Sequence, residues 1–312
     1  MRMGYQEAIM LIGFGGPEKP EEVRPFLESV LKGIRIPKER FEEVLHHYEA
    51  MGGVSPYNAI TYRQQKALQK QLTANEVSLP VVVGFRHSHP SFEDALRELR
   101  CLGVRRVIGF VLSCLRSYSS FDKYVEWLRA AQEATGTQDI EFVFTEPFHN
   151  APDFIAAQSS QLAQVMSSPS SEDTYYLFSA HSIPCAIADQ SGYHRQFEEI
   201  SRLIAEECAL QHWGVAYQSR SGSPKDPWLE PSVESVIERL DIEKYKKIVL
   251  IPAGFLCDNV EVLFDLDTEA KELCDKRGLE YRRAQTVMDH PLFICLMAEL
   301  IENKIIGTLA SD

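Results

Sequence analysis

The apolar positions of the chain fall into eight short runs, and the stretches between them carry helical spacing or helix-capping residues. The runs cover residues 8–12, 79–85, 105–112 and 140–145, then 174–178, 215–218, 247–252 and 279–283. They show little polar alternation, which suits strands covered on both faces. Helices are predicted over 20–30, 38–51, 59–73, 91–101 and 121–134, and again over 154–166, 193–210, 231–240, 260–276 and 291–305. Strands alternating with helices predict an α/β fold with parallel sheets. About 65 residues separate the first strand from the second, long for a crossover, and this insertion reads as a lid or cleft wall.

The pattern also repeats. Arg105-Arg106 precedes one apolar run and Lys246-Lys247 another, each followed by a loop and a helix, at an offset of 141 residues. This predicts two lobes of four strands each, residues 1–150 and 151–312, with a boundary between 148 and 153 and a cleft between them. The last helix is free to pack back on the first lobe.

Composition narrows the function classes. Of 312 residues, 45% are hydrophobic and 25% charged, enough to fill a real core. A net charge of −13 argues against a nucleic-acid binder. Seven scattered cysteines without a C-x-x-C pair imply reduced thiols, with neither a disulfide framework nor a structural zinc. Residues 1–10 do not read as a signal peptide, and the longest apolar runs, such as 248–253, are too short to span a bilayer. A cytoplasmic protein is expected.

Ligands of open α/β sheets gather at the carboxyl ends of strands. The fifth run is expected to stop at Phe178, and Ser179-Ala180-His181 follows, so His181 is a candidate for chemistry, against the alternative of a structural histidine. Glu261, Asp265 and Glu269 recur every four residues after the seventh run. On a helix they form one row, either a solvated face or carboxylates at a cleft with a proton or metal-ion path behind them. Gly13-Phe14-Gly15-Gly16-Pro17 is a tight loop at the end of the first strand, with neither a dinucleotide fingerprint nor a P-loop. His87 and His89 read as a surface loop or a weak metal pair, and 218–229 as a polar loop at the ligand edge around Trp228.

Five segments together carry a resemblance. They are Gly13 to Pro17, YEAMGGVSP from Tyr48, SAHSIP from Ser179, YQSRSGSPKDPWL from Tyr217 and PAGFLCDNVEVLFDLD from Pro252. The chain resembles the ferrochelatases, which insert Fe²⁺ into a porphyrin, and is most similar to the bacterial coproporphyrin III branch. The resemblance implies two Rossmann-like lobes around a porphyrin cleft. It implies that His181 and Glu261 face the porphyrin centre as catalytic groups and transient iron ligands, with Asp265 and Glu269 behind them as an outer metal or proton path. Porphyrin contacts fall on Phe14, Lys32 (or Arg35), His47, Tyr48, Ser55 and Tyr124. Phe14 stands where many of that branch have tyrosine, His47 where some relatives have arginine, and Asn259 where histidine is common. No cysteine-rich or apolar tail follows, so neither a [2Fe–2S] cluster nor a membrane anchor is expected. The implied partners are a porphyrin and Fe²⁺ as substrates, with no tightly bound cofactor, and the protein is expected to be a monomer. Alternatives are a protoporphyrin IX ferrochelatase, another tetrapyrrole chelatase, or a non-catalytic tetrapyrrole-binding protein.

Overall fold

A computed structural model describes residues 6–32, 38–166, 172–221 and 226–309; Arg35 lies outside them. The first lobe contains β1 (Glu7–Gly13), α1 (Val23–Val30), α2 (Lys38–Ala50), α3 (Tyr57–Ala74), β2 (Val81–Phe85), α4 (Phe92–Cys101), β3 (Arg106–Val111), α5 (Lys123–Thr135) and β4 (Glu141–Phe144). The second contains α6 (Pro152–Ala163), β5 (Thr174–His181), α7 (Cys185–Ser191), α8 (Tyr193–Glu207), β6 (Trp213–Gln218), α9 (Val233–Arg239), β7 (Lys247–Ile251), α10 (Val260–Phe264), α11 (Lys271–Arg277), β8 (Glu280–Arg283) and α12 (Pro291–Leu309). Local chemistry sets several boundaries. Ser91 and Asp94 close a capping box at the start of α4, and Gly136 ends α5 in the left-handed conformation.

Each lobe builds one four-stranded parallel sheet, and the two share one plan: β2-β1-β3-β4 and β6-β5-β7-β8. Residues Ala8 to Ile12 of β1 are at most 1% exposed, as the unbroken apolar run requires. In this order the chain leaves the first strand on one side and returns on the other. A crevice therefore opens beyond the carboxyl ends of β1 and β3, and of β5 and β7.

Three elements differ from the sequence expectation. Strand β5 does not stop at Phe178 but runs to His181, because β6 stays paired with it as far as Gln218. The small residues there leave room for Gly254, whose amide donates to Ser179 O at 3.1 Å. The helix expected over 260–276 is split by a π turn, Asp265–Ala270, between α10 and α11. The third is α7, a helix outside the predicted set, with Pro184 as its N-cap.

The lobes are joined by one hydrophobic core that contains residues of both. At its centre Phe110 and Phe148 stack at 5.3 Å between ring centroids, and Phe154 and Phe293 close the cluster at 5.4 and 5.9 Å from Phe148. Helix α12 belongs to the second half of the chain yet lies against α3, β3 and α6. Gln64 donates to Met288 O at 2.9 Å and Arg63 pairs with Asp289 at 3.1 Å, just before α12, so polar bonds reinforce the join. No helix among the described residues is long and apolar enough to cross a membrane.

Helices α1 and α2 form the wall foreseen in the long first connection. They rest on a small core of their own, in which Phe26, Leu27, Leu45 and Tyr48 meet Val260 from the other lobe. His87, after β2, anchors this wall. Its ring packs 4.7 Å from Phe14 and 5.2 Å from Trp127, and its Nδ1 lies 2.9 Å from Ser29 Oγ of α1.

Two predictions follow from this packing. A Cβ on Gly254 would meet Ala180 Cβ at 2.5 Å and its Cα at 2.8 Å, so Gly254→Ala must push the strand end that carries His181. We expect a loss of about 1–3 kcal/mol in urea unfolding, together with reduced activity. The second concerns pH. Desolvation, with the neighbouring Arg86 charge, pushes the pKa of buried His87 down to about 3. An unfolded histidine takes up a proton below about 6.5, whereas folded His87 stays neutral until about 3. Stability is therefore lost as pH falls through this window, by at most about 1.4 kcal/mol per pH unit. Urea unfolding at stepped pH should show that slope reduced in His87→Gln.

Candidate active site

His181 is the last residue of β5, and its surroundings fix both its position and its tautomer. Tyr193 Oη donates to the His181 carbonyl at 3.0 Å, and Ser182 N donates to Gln218 O at 2.7 Å. The ring Nδ1 lies 2.5 Å from Ser182 O. A carbonyl oxygen only accepts, so the neutral ring carries its proton on Nδ1 and presents the Nε2 lone pair to the cleft.

That lone pair faces Glu261. Strands β5 and β7 are neighbours with Phe178 opposite Ile251, so the segments beyond their ends share one crevice. Asn259 caps α10 by accepting from Val262 N at 2.8 Å. Glu261 then lies in the first turn, its Oε2 3.9 Å from His181 Nε2. This is an ion-pair distance and not a hydrogen bond. About 30% of the His181 side chain and 42% of that of Glu261 remain exposed.

Behind Glu261 the helix widens into the π turn. Such a turn closes i→i+5 bonds, and π turns recur at functional sites. Asp265 opens it and accepts hydrogen bonds from Ser219 Oγ and from Gln218 Nε2, the latter at 3.3 Å. Desolvation pushes the Asp265 pKa up to about 7, and Glu261 and Glu269 add to the rise, against the lowering hydrogen bond from Ser219. This carboxyl can therefore gain or lose a proton near neutrality. Ser219 holds its hydroxyl there from a backbone φ of +61°, uncommon outside glycine. Tyr48 lies close enough for Glu261 and Asp265 to reinforce the upward pKa shift that burial gives it, so it remains a hydroxyl.

These groups line a cleft of about 400 Å³ between the two lobes and the α1–α2 wall. His181, Glu261, Asp265, Glu269, Phe14, His47 and Tyr48 all line it. Phe14 packs against Phe26 and His87, and His47 stacks on Phe264 at 3.9 Å between centroids. Three expected contacts lie elsewhere. Lys32 is exposed just past α1 and is absent from the lining. Ser55 is buried under the first glycine loop, where its amide donates to Pro17 O at 2.8 Å and its hydroxyl accepts from Tyr57 N. Tyr124 is buried in a core of the first lobe, under the Arg86 guanidinium. His87 and His89 do not form a pair either: His89 is exposed and bonds Asp94 at 2.8 Å.

Sequence reasoning left the 218–229 loop undecided, and the cleft takes Gln218, Ser219, Arg220 and Leu229 from it. The usable signal was position: Gln218 ends β6, the neighbour of β5, at the same edge as His181.

Comparison with known proteins places the chain in a family. The model of the ferrochelatase family matches residues 6–305. A ferrochelatase from Rhodopirellula baltica is 40% identical over 303 residues, covering 96% of this chain and 86% of the relative. A coproporphyrin III ferrochelatase from Mycobacteroides abscessus is 37% identical over 304 residues, covering 96% and 89%. The structure of the sirohydrochlorin chelatase SirB from Bacillus subtilis subspecies spizizenii, in complex with cobalt, superimposes with a TM-score of 0.57 at 11% identity, covering 96% of this chain and 95% of that one. The last likeness concerns the fold alone. With a histidine lone pair and a carboxylate side by side on the second-lobe wall of the cleft, and a family match over nearly the whole chain, the protein belongs to the ferrochelatase family, enzymes that insert a metal ion into a porphyrin.

Proposed function

We propose that this ferrochelatase acts on coproporphyrin III, inserting Fe²⁺ to give coprohaem, with His181 and Glu261 as its catalytic pair. The observation that carries the pair is the 3.9 Å approach of His181 Nε2 to Glu261 Oε2 inside the cleft. The substrate reading draws on relatives such as those from Mycobacteroides abscessus and Propionibacterium freudenreichii, both named coproporphyrin III ferrochelatase.

The reaction replaces two pyrrole N–H protons by one Fe²⁺, so two protons must leave as the iron sheds its water. His181 Nε2 takes a pyrrole proton, and the imidazolium so formed is stabilised by the Glu261 carboxylate. The proton passes by way of one water across the 3.9 Å gap to Glu261 and on to Asp265, whose pKa near 7 lets it accept and release at neutral pH, and the emptied Nε2 then takes the second pyrrole proton by the same route. Whenever the proton has moved on, the freed lone pair and the carboxylates would serve as transient ligands for the incoming ion. Phe14, facing the cleft, supplies an aromatic face for the macrocycle but has no phenol to ligate product iron. We further read the protein as a monomer: its exposed large hydrophobic residues among those described, Val54, Tyr118 and Ile242, are few.

His181→Ala should lower insertion by about 10²–10⁴-fold while porphyrin binding, followed by fluorescence quenching, is retained. Undiminished turnover would remove His181 from the mechanism. Anaerobic insertion of Fe²⁺ into coproporphyrin III and into protoporphyrin IX, followed by absorbance, tests the substrate. A faster rate with coproporphyrin III is expected, and an equal or inverted preference would point to the protoporphyrin reading.

A further inference from the structure

The acidic row of the cleft is held from behind by one arginine. Arg283, at the end of the edge strand β8, is only 10% exposed. Its Nη1 and Nη2 donate to Asp258 at 3.2 and 3.0 Å, and its Nε and Nη2 donate to Asp267 at 2.7 and 2.9 Å. Nη1 also reaches Ala284 O at 3.2 Å, so all five guanidinium N–H groups have an acceptor. Two neighbours complete the brace. Thr286 Oγ1 donates to Asp258 at 3.0 Å, and Tyr281, two residues before Arg283 on the same face of β8, donates to the Leu266 carbonyl at 2.7 Å.

The two carboxylates that Arg283 joins bracket the segment that carries the site. Asp258 stands one residue before the cap of α10, and Asp267 lies within the π turn. Residues two apart on a helix point roughly opposite ways, so Asp267 faces the sheet while Asp265 faces the cleft. A short helix joined to a π turn has weak rigidity of its own. Fixed at both points, the segment cannot rotate about its axis, and any such rotation would swing Glu261, Asp265 and Glu269 out of line.

We propose that Arg283 is a positioning residue for metal delivery: its two-point clamp on Asp258 and Asp267 sets the direction in which the carboxylates of α10 and the π turn face the cleft. This rests on the reading of those carboxylates given above. Outer partners of metal-binding groups act by orienting them. A lysine, with one compact charge, can satisfy one of the two carboxylates but not both.

The test uses the full chain, with Zn²⁺ as metal probe and a porphyrin that the wild-type chain accepts. For Arg283→Gln, kcat/KM for the metal should fall by about 10- to 100-fold, while porphyrin affinity by fluorescence quenching stays unchanged. Arg283→Lys should recover part of the loss. Should Arg283→Gln fail to fold, Asp267→Asn carries the test, with a smaller fall in the same constant and unchanged porphyrin affinity expected. Unaltered metal kinetics, or porphyrin affinity falling in parallel, would overturn the proposal. Glu261→Gln is the control. If it inserts metal normally, the reading of the acidic row fails; if it is inactive while Arg283→Gln is normal, only the role given to Arg283 fails.

Discussion

The parallel pairing of β5 with β7 sets Phe178 opposite Ile251 and sends both chains out of the sheet at the same edge. One exit delivers His181 and the other, after a loop held against Ala180 by Gly254, delivers Glu261. Because these are backbone ladder bonds at the place where the strand order reverses, the two groups converge without touching strongly. They are left 3.9 Å apart and open to a reactant. A tight hydrogen bond between them would engage the lone pair that the chemistry needs.

The shared core limits how such a site can open. Lobes joined by Phe110, Phe148, Phe154 and Phe293 cannot swing apart without exposing that cluster. The α1–α2 wall rests on a much smaller core, so it is the part that can shift for a flat ligand. His87 ties that wall to the strand end through Ser29, which couples the position of Phe14 to that of the wall.

Much of this was legible in the residues. Unalternating apolar runs gave the eight strands, and the basic pairs at 105–106 and 246–247 gave the two-lobed plan. The positions of His181 and Glu261 were legible because one ends and the other follows a strand that such a sheet must place centrally. The π turn was not, since i→i+5 bonding leaves no mark on hydrophobic spacing, and a run such as 260–276 reads as one helix. Ser55 and Tyr124 show the limit of transferring contacts by resemblance. In this chain a serine beneath a glycine loop and a tyrosine on α5 are taken up by packing. Arg283 was invisible for another reason: its partners are 25 and 16 residues away, and only the fold brings them together.

Helix α12 has a consequence for the order in which the molecule can be made. It covers faces of α3 and β3, and the bond from Gln64 to Met288 spans 224 residues. During synthesis the first lobe emerges early, yet Phe110 and its neighbours wait for Phe293 before their core is closed. The first lobe therefore stays half-covered until α12 arrives to complete its core. The shared core, and the cleft beside it, are complete only when residues from both lobes have come together.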